Sequence, residues 1–233
     1  MHGHDGRWQS ETTGVEVELT ALAGAIAVGR GGVLLERGHD GRWSSIATRT
    51  RADLRAVWRY EGVYYDGGGL IRSLYLAGDG GVIVHCAMRH QPPVCIPRPS
   101  PTTADLLGFG QLDSRERFVL FGADGRMFRP TGLDPFGWTA STEDGPIFLR
   151  SVVNRSQWVV GRDSVKAEPL AVGRAGRVAF LTAQGPVGVT LPGAADLTDV
   201  ATAGIDFFAV GQRGTIVHGV ARDVSIAPPV QLY

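Results

Sequence analysis

The sequence predicts an all-β fold, a β-propeller of five four-stranded blades, and three observations carry that prediction. Glycine makes up 33 of the 233 residues, about twice the usual share of roughly 7%, which calls for many tight turns. An acid–Leu signature recurs at Glu18-Leu19, Asp53-Leu54, Asp105-Leu106 and Asp196-Leu197, with Phe148-Leu149 as a variant copy. The Leu-to-Leu steps are 35, 52, 43 and 48 residues, close to the roughly 40–50 of propeller blades. No segment sustains a helical period of apolar residues.

Each strand of the repeat has its own reason. Strand A starts at the Leu. Two residues on sits a small side chain (Ala21, Ala56, Gly108, Ser151) or Asp199, and three residues on a large apolar one (Leu22, Val57, Phe109, Val152, Val200). That alternation suits strands converging on a crowded axis. Strand B is an apolar run ending in glycine: Ile26–Gly29, Tyr75–Gly78, Val119–Gly122, Leu170–Gly173 and Phe208–Gly211. A second glycine three residues later opens strand C, a spacing that suits a tight hairpin with positive φ. Strand D is seeded by Trp43, Val94, Trp138, Val187 and Val224.

Gly3-His4-Asp5-Gly6-Arg7-Trp8 recurs unchanged at Gly38–Trp43. Residues 5–10 therefore read as a D strand that closes the ring with the last blade, so that 1–233 forms a single domain. The alternative is a fragment of a six- or seven-bladed array.

Gly29-x-Gly31-Gly32-Val33-Leu34-Leu35, Asp40-Gly41-Arg42-Trp43 and Asp53-Leu54-Arg55-Ala56-Val57-Trp58 together resemble the photosystem II assembly and stability factor type of propeller and its bacterial relatives. Asp40–Trp43 is also similar to a degenerate Asp-box turn of sialidase-like propellers. The resemblance implies a propeller with a binding or assembly role. That family generally has seven blades, five units are legible here, and no functional residue is carried over from it.

Composition narrows the function classes. Lys+Arg and Asp+Glu are 23 each, a balance that argues against nucleic acid as the partner. No apolar stretch reaches the ~18 residues of a membrane-spanning helix, and the first residues lack the regions of a signal peptide. A soluble, cytoplasmic protein is the expectation. The two cysteines, Cys86 and Cys95, flank a C–D turn that can bring them together as a disulfide; in a reducing compartment they stay thiols.

Candidate sites fall at the two ends of the blades. Glu18, Asp53, Asp105 and Asp196 would ring one mouth of the channel. There they are expected to hold backbone N–H groups of neighbouring turns, with a calcium site as the alternative; no other cofactor is implied. His85 and His218 read as ordinary strand residues, and Arg49, Arg51, Arg55 and Arg59 as a local basic cluster. Two long A–B insertions, 59–74 and 154–169, decorate the other side. The first carries Tyr64, Tyr65, Asp66 and Arg72, the second Trp158 and Arg162. Aromatic rings mixed with arginine suit a protein, peptide or glycan ligand. The expected function is a non-catalytic recognition or scaffold module. One alternative is a glycoside hydrolase or lyase using the acids or Asp199 in the axial funnel, and the other is a multivalent lectin.

Overall fold

The computed structural model describes residues 2–4, 7–63, 70–111, 118–131, 137–140, 149–153, 156–157, 166–167, 170–182, 185–193, 195–203 and 206–220. They fall into two compact units, residues 1–98 and 99–233.

The first unit opens with a hairpin of β1 (His2–His4) and β2 (Arg7–Gln9). Blade one is the sheet β3 (Leu19–Ala23), β4 (Ile26–Gly29), β5 (Leu34–Arg37) and β6 (Trp43–Ser45). Blade two is β7 (Leu54–Val63), β8 (Leu70–Gly78), β9 (Ile83–Ala87) and β10 (Val94–Arg98). In the second unit, blade three is β11 (Leu106–Gln111), β12 (Phe118–Gly122), β13 (Met127–Pro130) and β14 (Trp138–Ala140). Blade four starts with β15 (Leu149–Val153), is interrupted by the small pair β16 (Ser156–Gln157) and β17 (Lys166–Ala167), and resumes with β18 (Leu170–Gly173), β19 (Arg177–Thr182) and β20 (Gly185–Thr190). Blade five has β21 (Leu197–Ala203), β22 (Asp206–Gly211) and β23 (Ile216–Val220). Every pairing is antiparallel between strands adjacent in a sheet. Five repeats thus give five sheets. The strand expected at Val224–Ala227 lies outside the described residues, and Arg7–Gln9 pairs with His2–His4.

Strand A breaks register at one place in all five blades: Leu19/Ala21, Leu54/Ala56, Leu106/Gly108, Leu149/Ser151 and Leu197/Asp199. A bulge inserts one residue and shifts the face of everything after it. Hence the large apolar residue sits three positions after the Leu, where an unbroken strand would place its same-face neighbour at two.

The glycine ending strand B has a steric cause, whereas the expected positive φ is found at the second glycine of all five turns: Gly32 (77°), Gly81 (77°), Gly125 (82°), Gly176 (68°) and Gly214 (69°). Gly29, Gly78 and Gly211 are fully extended, at φ −164°, −174° and −157°. A Cβ on Gly78 would overlap the Asp53 carbonyl oxygen and come within 2.8 Å of Leu54 Cα; Gly29 and Gly211 abut Glu18 and Asp196 in the same way. Positive φ belongs to the following turn. In four blades it is a single 3-10 turn whose central residue is left-handed: Gly31 (φ 66°), Gly80 (64°), Ala175 (53°) and Arg213 (57°).

Blade three differs. Its turn, Gly122-Ala123-Asp124-Gly125-Arg126, repeats the bonding of the C–D turn Gly38-His39-Asp40-Gly41-Arg42. In each the carboxylate accepts an N–H two residues on, Asp40 from Arg42 at 3.0 Å and Asp124 from Arg126 at 3.1 Å. In each the first glycine and the Arg close the loop, Gly38 N–H to Arg42 O at 2.8 Å and Gly122 N–H to Arg126 O at 2.9 Å.

Apolar burial runs between consecutive blades. In the first unit Ile26, Val28 and Leu34 of blade one pack with Leu54, Leu74, Leu76 and Val84 of blade two. In the second, Leu170, Val172, Val178 and Phe180 of blade four pack with Leu197, Val200, Phe207 and Ala209 of blade five.

Candidate functional site

The acids before strand A hold turns. Asp53 Oδ1 accepts the Gly31 N–H at 2.8 Å, and Asp196 Oδ1 accepts the Ala175 N–H at 2.9 Å. In both cases the donor is the left-handed residue of the preceding blade's B–C turn. A central residue in that conformation aims its N–H outward, away from its own hairpin, where a carboxylate one blade on meets it. Glu18 instead pairs with Arg30 at 2.9 Å. Asp105 accepts Ala123 N–H through its backbone carbonyl at 2.7 Å. Among the described residues no three His, Cys, Asp or Glu side chains are grouped as a metal site would need. Asp199 accepts Ser151 Oγ–H at 2.7 Å and the Val200 N–H at 2.8 Å, linking the A strands of blades four and five.

At the other end of blade two the described parts of the 59–74 insertion, 59–63 and 70–74, are paired strand. The strand pair β7–β8 continues in register to Val63↔Leu70, whereas β9 accompanies β8 only as far as Ser73↔Ala87. Three pairs, Glu61↔Arg72, Gly62↔Ile71 and Val63↔Leu70, therefore form a two-stranded ribbon beyond the sheet, about 10 Å at 3.4 Å per residue. The blade-one hairpin closes at Ala23↔Ile26, the level of Trp58↔Tyr75 in blade two. The alternation of Trp58, Arg59 and Tyr60 puts the two rings on one face and the guanidinium on the other. Arg59 and Arg72 are exposed, while Trp58 and Tyr60 are half-buried. Arg59 leans over blade one, so that a methyl on Gly24 would lie 3.5 Å from its Nη1.

The ribbon is tied at its base. Met88 N–H donates to Arg72 O at 2.9 Å, which couples the C–D turn to the ribbon. Beneath that turn Cys86 and Cys95 form a disulfide, both buried. Tyr75 stacks on His85 with centroids 4.8 Å apart. Arg98 Nη2 lies 3.3 Å from His85 Nδ1, and since arginine can only donate, Nδ1 is the acceptor. The turn itself presents Arg89, His90 and Gln91 to solvent.

Of the residues expected to bind, Arg72 is placed here, whereas Tyr64, Tyr65, Asp66, Trp158 and Arg162 lie outside the described residues. The insertion at 154–169 likewise contains paired strand, Ser156↔Ala167 and Gln157↔Lys166. The basic cluster is divided. Arg55 pairs with Asp79 at the start of β7, and Arg59 sits four residues along, about 13 Å away. His218 stacks on Phe208 at 4.6 Å, and its Nε2 is 2.8 Å from Asp206 Oδ1.

Sequence reasoning missed one polar cluster altogether. Glu11 accepts Arg37 Nε–H and Nη2–H, both at 2.9 Å, and Trp43 Nε1–H at 2.8 Å. The hydrogen bonds to Glu11 hold the Arg37 guanidinium above its usual pKa. The signal was present: Glu11 stands 35 residues before Ile46, an acid in the register of a buried apolar residue.

No family model and no curated protein matches the chain. Among solved structures it is similar to the β-propeller domain of Cps50 (Swd1) from Myceliophteria thermophila, at 12% identity and a TM-score of 0.56, over 89% of this chain and 66% of that one. It is also similar to the WD40 β-propeller domain of Doa1, at 9% identity and a TM-score of 0.55, over 88% of this chain and 65% of that one. The chain spans just under two thirds of the length of each. Among the described residues no helix is long and apolar enough to cross a membrane. Five repeated antiparallel sheets and these likenesses make the fold a β-propeller.

Proposed function

We propose that the chain is a non-catalytic recognition or scaffold propeller whose partner, a protein or peptide, docks at the ribbon end of blade two. The observation that carries this reading is the outgrowth of β7–β8 past its own sheet, with Arg72 on it, Arg59 and Tyr60 just below its base, and Arg89 and His90 beside it. A ribbon anchored by the Met88–Arg72 backbone bond and the disulfide presents these groups at little entropic cost. Arginine and tyrosine are the side chains that most often dominate protein contacts. The resemblance of residues 29–58 to photosystem II assembly-type propellers, a family of binding and assembly roles, supports the same reading. Tyr64, Tyr65 and Asp66 in the first insertion, and Trp158 and Arg162 in the second, are further proposed contacts.

The enzyme alternative has less support, because Asp53, Asp196 and Asp199 are each committed to a protein donor.

The test is a variant with 59–74 replaced by a two-residue turn, giving blade two a hairpin of blade-one length. The immobilised wild type and the variant are exposed in parallel to extract from the source cells. A protein retained by the wild type and lost from a variant that keeps its strand circular dichroism supports the reading. Equal retention by both refutes it. A second variant shortened at 154–169 tests the other insertion in the same way.

A further inference from the structure

Blades one and two each place an arginine against a carboxylate at the end where strand A begins. In blade two Arg55, the bulge residue of strand A, pairs with Asp79, the residue after the glycine that ends strand B. In blade one Arg30, the residue after that glycine, pairs with Glu18, the acid before strand A, at 2.9 Å.

Blade four has arginine where blade two has that pair, and no acid of its own beside it. Its bulge residue is Arg150, the residue after its strand-B glycine is Arg174, and Phe148 stands where the other blades carry their acid. The backbone is built as in blade two. Leu149 opposes Gly173 as Leu54 opposes Gly78, each followed by a one-residue bulge. The 3-10 turns Arg174–Gly176 and Asp79–Gly81 both carry a left-handed central residue. Positions 150 and 174 are therefore brought together as 55 and 79 are, with two guanidinium groups in place of an ion pair.

The surroundings keep that charge. Arg150, Arg174 and Arg177 are all exposed at this end of the blade. Among the described residues no carboxylate pairs with Arg150 or Arg177. The acids on the adjoining strand of blade five have donors already: Asp196 takes the Ala175 N–H, and Asp199 takes Ser151 Oγ–H and the Val200 N–H. Two like charges side by side repel, and an anion between them turns the repulsion into two attractions. Arginine forks match the oxygens of phosphate or carboxylate in pairs. A phosphate monoester carries close to two negative charges at neutral pH, which balances two guanidinium groups where a carboxylate would balance one.

We propose that Arg150 and Arg174 form a binding site for a phosphoryl group, with Arg177 adding to the field that attracts it. The site lies where strand A of blade four begins, whereas the ribbon grows from the far end of strand A in blade two. Failure of either reading leaves the other standing.

The arginine Nε–H resonances of the full chain, titrated with inorganic phosphate at an ionic strength held constant with chloride, test it. Those of Arg150 and Arg174 should shift together and saturate. Arg150→Ala should weaken phosphate binding about tenfold, the equivalent of one charge-assisted contact. Arg150→Lys, which keeps the charge and loses the fork, should weaken it less. Arg174→Asp installs the blade-two pair, so it should abolish the saturating shift and, without phosphate, raise the Tm. A short phosphoserine peptide separates the sources of the group: tighter binding than inorganic phosphate assigns a phosphorylated chain, weaker binding the free anion. Resonances that do not saturate with phosphate overturn the proposal. So does a saturating shift that persists in Arg174→Asp, or a lower Tm of that variant, which would show that the two positions do not meet.

Discussion

Replacing Asp53 by alanine separates the structural role of the repeated acid from a metal-binding one. The variant loses a charge-assisted hydrogen bond of 2.8 Å to the Gly31 N–H, of a kind that contributes about 1.5–3 kcal/mol when buried. This one is partly exposed, and water can reach the freed N–H, so the lower end applies. The Arg30 contact at 3.9 Å is exposed and adds less than about 0.5 kcal/mol. The expected loss is therefore about 1.5 kcal/mol, or roughly 3–6 °C in Tm for a chain of this size. Asp53→Asn keeps an acceptor oxygen and should lose about half as much. Thermal unfolding followed by circular dichroism, with and without calcium, reads all three proteins. The reasoning fails if Asp53→Ala melts with the wild type. It fails equally if calcium raises the wild-type Tm and Asp53→Asn abolishes that rise.

Other expectations follow from the same geometry. Gly78→Ala should destabilise by about 3 kcal/mol or more, since its Cβ overlaps backbone. Gly80→Ala, with open space around it and only left-handed strain to bear, should cost about 1 kcal/mol; urea midpoints compare the two. Reducing Cys86–Cys95, which closes a loop of nine residues' separation, should lower stability by about 2–3 kcal/mol, visible as an earlier urea midpoint with reductant and absent in Cys86→Ser/Cys95→Ser. Glu11→Ala should shift the Trp43 indole N–H resonance and speed its hydrogen exchange, because that proton loses its acceptor.

The blade pattern was legible because its causes recur. A bulge needs its Leu and its apolar residue three positions on, and strand B must end in glycine wherever a carbonyl lies against it. For Asp53 and Asp196 the acid's role could be anticipated too, since a position repeated from blade to blade points to a need of the scaffold. What stayed hidden depends on contacts far apart in the chain. Val57–Val63 and Leu70–Tyr75 have the β-branched and aromatic content of strands, yet the step of 24 residues between Leu54 and Gly78 reads as surface decoration, because length alone does not show that both halves remain paired. Glu11 is hard to assign for a similar reason: its register against Ile46 marks it, but its partners, Arg37 and Trp43, lie 26 and 32 residues along the chain. Tyr64 and Tyr65 are legible as candidates only by composition.

The self-sufficient turn of blade three bears on how the chain folds. Where blades one and four rely on a carboxylate from the next blade, Asp124 closes its loop locally, and the following blade carries Phe148 at the acid position. In a linear array, stability is a sum of repeat terms and nearest-neighbour coupling terms, and among the described residues the coupling between blades three and four lacks that hydrogen bond. Within the second unit, unfolding should therefore divide more readily at this junction than at the one between blades four and five. An inserted or deleted blade would disturb fewer partnerships there.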